Sequence, residues 1–328
     1  MLNEGGTPTR STFKRSTISL LGVLLLQTFA FGVLVSDSSF KVLHFESGTE
    51  RDDLPIFVAT QEAAEKLLDS ETQQCGANHD PKQQSETTVE EVVDGVFILH
   101  NVLSSNESNR ILNVSLEMGY QPDAPVNLGR NVRRNENCVW IMNNNVNRAI
   151  FERVSHLLPN PIVFEGHSLG GPLGLNRRWR LYKYSPGDFF LQHTDGAWPG
   201  SGEVDGRYIH DMYEGEALSW ITFLIYLNDD FEGGGTTIYL SNGHGHEYFD
   251  EEEDESDDSE EDTGNSPPIN GEEPSFVEIR PRQGSVLCFY HGYHPLSRLH
   301  QGETVLEGTK YVARTDVLYQ RKQAICGH

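Results

Sequence analysis

The sequence predicts a mainly β fold, a sandwich or barrel with flanking α-helices packed on one face. Three observations predict it. Apolar residues recur at helical spacing between residues 92 and 160; from Arg178 onward the period changes to alternation; and Gly and Pro turns separate the alternating runs. Helices followed by many short strands is the order expected of a layered fold built around a sheet. The 328 residues would allow two domains, yet one large β unit with its helices commonly takes roughly 200 to 250 residues.

The elements follow in order. Residues from Asp37 to Glu91 are polar, carry a QQSETT run and keep no sustained period, so they read as a stem or linker with at most one short helix at Gln61 to Leu68. The globular domain is expected from about residue 92 to 322. It opens with VVDGVFILHNVL as a strand. Ser104 and Glu107 then form a capping box for a helix that ends at Gly119. A second helix starts in an Asn cluster, places Val146, Ile150, Val154, Leu157 and Leu158 on one face, and stops at Pro159. Strands are expected at Arg178 to Tyr184, Phe189 to Asp195, Ser219 to Leu227, Thr236 to Leu240, Phe276 to Arg280, Ser285 to Tyr290 and Lys310 to Tyr319. From Asp250 to Asp262 all residues but Ser256 and Ser259 are acidic. Such a block cannot bury apolar surface, so about 243 to 274 reads as a solvated, disordered insertion between two strands.

Forty-nine acidic against 25 basic residues give a formal charge of -24. That balance argues against unaided binding to nucleic acid or anionic lipid, and no nucleic-acid partner is expected. Residues 1 to 36 read as a targeting element: Arg10, Lys14 and Arg15 precede an apolar stretch from Ile18 to Val35, interrupted only by Ser19, Gln27 and Thr28. As a signal anchor it would hold the chain in the endoplasmic reticulum or Golgi membrane with a lumenal catalytic domain. As a signal peptide cut near Ala30 and Gly32 it would give a secreted protein. Asn106 and Asn113 head N-x-S sequons, so a lumenal protein would be a glycoprotein. The four cysteines, Cys75, Cys138, Cys288 and Cys326, form no CxxC pair, which removes a zinc ribbon or thioredoxin-like motif.

In His193-Thr194-Asp195 the outer residues are two apart, so on a strand both point to one face and can share a metal. The spacing alone is weak, since 13 histidines among 49 acidic residues give about two such triplets by chance, and His44-Phe45-Glu46 in the polar stem is another. Two histidines and one carboxylate on one face leave adjacent positions open on a six-coordinate iron. A second histidine is therefore needed from the C-terminal region, where His291, His294 and His300 are the candidates.

The runs LYKYSPGDFFLQHTDGAW, FLIYLNDDFEGGGTTIYL and RQGSVLCFYHGYHPLSRLHQGETVLEGTKYVARTDVLY resemble, in order and spacing, the catalytic domain of prolyl 4-hydroxylases within the 2-oxoglutarate- and iron(II)-dependent dioxygenases. The resemblance covers residues 92 to 320 in outline and is sharp from Tyr182. It implies a double-stranded β-helix (jelly-roll) core with N-terminal helices on one face. It selects His300 as the third ligand beside His193 and Asp195, because the family's lysine for the far carboxylate of 2-oxoglutarate follows ten residues later in a G-x-K triplet, matched by Gly308 and Lys310. The same expectation puts His300 on the strand that carries Lys310. Arg314 is a rival anchor on the same strand face, about 13 Å away at ~3.3 Å per residue, so both cannot hold one carboxylate beside the metal. Lys310 is preferred, and Arg314 is expected to pair with Asp316 or a neighbouring strand. Tyr184 and Tyr226 match tyrosines near the cosubstrate, whereas Phe190 stands where many members have a tyrosine. The resemblance further implies iron(II), 2-oxoglutarate, L-ascorbate and O2 as cofactors and co-reactants, a proline-containing peptide substrate, and a procollagen-proline 4-dioxygenase-like reaction releasing succinate and CO2. The alternative of another class is a non-catalytic metal-containing barrel that binds peptide or sugar; succinate formation separates the two.

Overall fold

The computed structural model describes residues 39–45, 54–69, 86–122, 129–164, 167–240 and 275–321. The apolar Ile18–Val35 stretch, the acidic run, Cys75 and Cys326 lie outside the described residues, among which no helix is long and apolar enough to cross a membrane.

Apolar residues alternate along the Arg178–Tyr184, Ala217–Tyr226 and Lys310–Gln320 strands, which lie side by side in a ten-stranded sheet. The order runs Phe40–Val42, Ile56–Ala59, Glu136–Ile141, Arg178–Tyr184, Lys310–Gln320, Ala217–Tyr226, Val286–Tyr290, Val96–His100, Thr88–Val93, with Pro172–Leu175 also on the Lys310–Gln320 strand. A five-stranded sheet runs Phe276–Ile279, Thr236–Tyr239, His300–Gly302, Phe189–His193, Arg133–Arg134. Because successive side chains on a strand alternate, the large sheet builds two different cores. On one face Trp140, Trp179, Leu181, Phe223, Ile225 and Ala313 pack with Ile111, Val146 and Ile150 of the helices. On the other, Tyr182, Tyr184, Tyr226, Phe289 and Val312 pack with Ile238 and Ile279 of the smaller sheet. The fold is mainly β, with a sheet-rich core.

The Ser105–Met118 helix starts where the sequence places it, since Ser104 accepts from Glu107 N and the Glu107 carboxylate accepts from Ser104 N. Glu107 is buried and does more than cap: it takes two hydrogen bonds from Arg153 of the Asn144–Val154 helix, both 2.8 Å, and one from Asp69 N at 2.9 Å. Burial works against its ionisation, but Arg153 and the two amides outweigh it and hold the carboxyl below its usual range.

Residues 40–45 and 54–67, which fall in the stretch read from sequence as stem, are instead built into this domain. Ile56 and Phe57 pair in parallel with Val139 and Trp140, Phe40–Val42 adds a further strand, and Leu43, Ile56, Phe57, Ala64 and Leu67 are buried. The strand IFVA is four residues long, too short for its period to stand out from polar flanks, and its partner lies some eighty residues away. Cys138 and Cys288 are buried free thiols.

Candidate metal centre

His193 and His300 meet because they are cross-strand partners in the smaller sheet, with ring centroids 4.2 Å apart. The Phe189–His193 strand carries an irregularity between Phe190 and His193. An extra residue there turns both side chains to one face, and the Phe190 ring stacks on His193 at 3.5 Å. Phe289 packs on His300 at 4.5 Å. The strand ends at His193, so Asp195 lies just beyond it and is not a strand residue. The carboxylate nonetheless reaches both rings: Oδ1 is 3.8 Å from His193 Nε2 and Oδ2 is 3.8 Å from His300 Nε2. One ligand atom from each of the three residues falls within 4.8 Å of the others, a group that could hold a metal ion. Backbone carbonyls fix the rings through the opposite nitrogen, Leu191 O at 2.7 Å from His193 Nδ1 and Arg298 O at 3.0 Å from His300 Nδ1.

Asp195 is buried, and both its oxygens have a partner in the large sheet. Arg314 Nη1 lies 2.7 Å from Oδ1, and Thr222 Oγ1 donates to Oδ2 at 2.7 Å. Burial opposes the charge, yet Arg314, His300 and His193 outweigh it, so Asp195 stays ionised well below the usual carboxylate range. Burial, with His300 adding to it at His193, lowers both imidazoles and keeps them neutral, the form that ligates metal. Behind Thr222 lies His291, fully buried, with Nδ1 2.8 Å from Thr222 Oγ1 and Nε2 2.9 Å from Ser219 Oγ.

Lys310 opens the long strand of the large sheet opposite Tyr184. Its ammonium is buried, donates to Gly234 O at 2.6 Å, and faces the rings of Tyr184 and Tyr226 at 5.4 and 5.9 Å. Burial pushes it down to about 8, opposed by Glu303. Gly234 has φ +61, and a Cβ there would meet Lys310 Cδ at 3.3 Å, so the turn needs glycine both for its backbone and for the lysine's approach. Tyr226 OH hydrogen-bonds Thr236 Oγ1 at 3.0 Å.

The sequence-selected His193, Asp195 and His300 therefore come together, and Lys310, Tyr184 and Tyr226 form one buried group. His300 does not share a strand with Lys310; the two lie in different sheets, because the chain leaves the His300–Gly302 strand at Glu303, forms the short Val305–Glu307 strand and bends at Gly308 (φ 79) before Lys310. Arg314 contacts Asp316 at 3.5 Å, as expected, but its shorter contact is to Asp195. His44 is exposed and pairs with Arg207 in a separate three-stranded sheet. Ser219, Thr222 and His291 were not identified as a unit from sequence; the available sign was the two aliphatic hydroxyls, Ser219 and Thr222, inside the otherwise apolar run ALSWITFLI. Two imidazoles and a carboxylate fit iron(II), and a buried ammonium between two phenols fits the free carboxylate of a small dicarboxylic acid.

No protein-family model and no curated protein sequence matches the chain. Its neighbours among solved structures are prolyl hydroxylases and 2OG-Fe(II) oxygenases. They include a viral collagen prolyl hydroxylase from Paramecium bursaria Chlorella virus-1 in complex with 2OG, 14% identical with a TM-score of 0.37 over 69% of this chain and 97% of that one. A Pseudomonas putida prolyl-4-hydroxylase is 11% identical, with a TM-score of 0.39 over 70% and 93% of the two chains. The alpha ketoglutarate dependent carbocyclase SnoK from nogalamycin biosynthesis is 14% identical, with a TM-score of 0.39 over 84% and 88%. Likenesses this loose transfer no role to any residue of this chain.

Proposed function

We propose that the chain is a 2-oxoglutarate- and iron(II)-dependent dioxygenase that hydroxylates peptidyl proline and releases succinate and CO2. The observation that supports this reading is the convergence of His193, Asp195 and His300 within 4.8 Å, on the face of the large sheet that also buries Lys310. A two-histidine, one-carboxylate set with open positions is the ligand pattern of non-haem iron oxygenases. Iron(II) with 2-oxoglutarate, when bound, supplies the oxygen-activating redox chemistry, and ascorbate would keep the iron reduced.

The chain's own residues orient and shield. His193, Asp195 and His300 would hold the iron, with Phe190 and Phe289 packed on the two imidazoles to restrict their rotation and keep out water. Lys310 would donate a charge-assisted hydrogen bond to the far carboxylate of the cosubstrate, in place of its contact with Gly234 O. Tyr184 and Tyr226, whose phenols burial keeps neutral, would line that end. The apolar Ile18–Val35 stretch and its basic flank support a lumenal position in the endoplasmic reticulum or Golgi. Asn106 and Asn113, exposed on the Ser105–Met118 helix, would report it through glycan addition.

The test is purified chain supplied with iron(II), 2-oxoglutarate, ascorbate and a proline-rich peptide library, read by succinate release and by peptides gaining one oxygen atom. Asp195→Ala should abolish succinate release. Undiminished release from that variant would remove the triad from the reaction. Succinate without an oxidised peptide would remove proline as the substrate, and no succinate under any condition would favour a binding module.

A further inference from the structure

Asp195 needs more than proximity to serve as a metal ligand. A carboxylate can rotate about its Cβ–Cγ bond, and only a fixed plane presents one oxygen to a metal while the other is held elsewhere. The structure fixes that plane from the large sheet. Thr222 Oγ1 has one hydrogen, and the ionised Asp195 Oδ2 at 2.7 Å can only accept it. Thr222 Oγ1 must then be the acceptor for His291 Nδ1 at 2.8 Å, so that nitrogen carries a hydrogen. In a neutral ring the other nitrogen is bare, and Ser219 Oγ donates to Nε2 at 2.9 Å. Ser219 Oγ in turn accepts from Trp198 N at 2.8 Å. Burial lowers the His291 ring and outweighs Asp316, whose Oδ1 lies 3.8 Å from Nδ1, so the ring is held neutral.

We infer that Ser219, His291 and Thr222 are positioning residues: a one-way relay of hydrogen bonds, with His291 held as the Nδ1-protonated neutral tautomer, that orients Asp195 for the metal. All three are at most 1% exposed, so water cannot take the place of a missing donor. The relay depends on a bulge. Ser219 pairs with Leu318 and Ile221 with Val317, so Trp220 is an extra residue in the register, and Ser219 and Thr222 face the same side although they are three residues apart. Arg314 holds the other oxygen of Asp195, and the two donors together define the carboxylate plane.

The inference rests on the metal reading above, and its test keeps the two apart. Manganese(II) is titrated into the full chain and the free ion is followed by its paramagnetic resonance signal. Wild type should bind, Thr222→Val should bind roughly 10- to 100-fold more weakly, and Thr222→Ser, which restores the hydroxyl, should bind as wild type does. The tautomer is read on the metal-free wild-type chain by long-range proton–nitrogen correlation of the His291 ring, which needs no variant to fold. Nδ1 should carry the hydrogen and Nε2 should not. Wild-type affinity in Thr222→Val, alongside loss of affinity in Asp195→Ala, would overturn the relay, as would an Nε2-protonated His291. Failure of wild type itself to bind manganese would overturn the metal reading.

Discussion

At the scale of single residues, Lys310 and Arg314 lie on one strand face but meet different partners, and their variants should fail differently. Lys310→Ala would leave the far carboxylate of 2-oxoglutarate desolvated and unpaired, at about 2 to 5 kcal/mol. The KM for 2-oxoglutarate should rise at least ~10-fold, each ~1.4 kcal/mol being a factor of ten. Arg314→Ala, which removes a donor from Asp195 Oδ1, should weaken metal binding and change that KM far less. A larger KM defect in the Arg314 variant would exchange the two roles. The Lys310 ammonium also sets a pH dependence. Burial holds it at about 8 against the pull of Glu303, and the groups facing it, Tyr184, Tyr226 and Gly234 O, carry no charge near neutrality. Only the protonated amine attracts a carboxylate, so the KM should be flat below about pH 7 and climb as pH rises through the lysine's value. Lys310→Arg, charged throughout, should show no such climb. These residues were legible in the sequence through the offsets that carry the resemblance, two between His193 and Asp195 and ten between His300 and Lys310, although Asp195 lies beyond its strand and His300 and Lys310 lie in different sheets. Ser219, Thr222 and His291 were not, since two hydroxyls three apart read as opposite faces of a regular strand.

At the scale of elements, the same bulge at Trp220 shows where a period-two reading stops working. The seven strands expected from Arg178 onward are all present within a residue or two of their expected ends, and the Phe189–His193 strand stops two residues early, which leaves Asp195 outside it. Alternation sorts their apolar residues onto the helix face and the site face. Its phase shifts at Trp220 and again between Phe190 and His193, the two places that aim side chains at the centre. Bulges are set by tertiary pairing, which one strand's sequence does not contain. The helices depend on a different joint. Glu107 ends the Ser104 cap, takes both nitrogens of Arg153 and holds Asp69 N in a buried position. Glu107→Ala would strand the Arg153 charge and two amides, costing about 3 to 5 kcal/mol. Thermal melting should fall by roughly 10 °C, while metal affinity measured below the melt stays unchanged. With a folded pKa below the ~4.3 of an unfolded glutamate, this residue contributes its full stabilisation above that pH and loses it as pH falls through the folded value. The variant should therefore melt closer to wild type in acid than at neutral pH.

At the scale of the whole molecule, the boundary of the domain is set by the sheet and not by composition. Ile56–Ala59 lies against Glu136–Ile141, and Leu43, Phe57 and Leu67 are buried, so a chain begun at Val92 would expose the edge of the large sheet and part of the core. A chain begun at Ser39 should show one cooperative melt and wild-type manganese affinity, whereas one begun at Val92 should aggregate or melt without cooperativity. Equal behaviour of the two would return residues 39–69 to the status of a stem. Polar composition concealed this segment because its few apolar residues find their partners far along the chain, Ile56 with Val139 and Phe57 with Trp140. The acidic run enters the molecule differently. Thr236–Tyr239 pairs residue for residue with Phe276–Ile279, and Leu240 N donates to Ser275 O at 2.8 Å, so the chain leaves and rejoins the smaller sheet through neighbouring residues. The two strands pair directly although 34 positions separate Leu240 from Ser275 in the chain. Closing a connection costs only about 0.6 kcal/mol for each doubling of its length, so a change in the number or charge of those positions should cost the strand pair little and leave His300, paired with Ile238, in register. Such an arrangement lets one part of a gene drift under its own selection without disturbing the part that carries the chemistry.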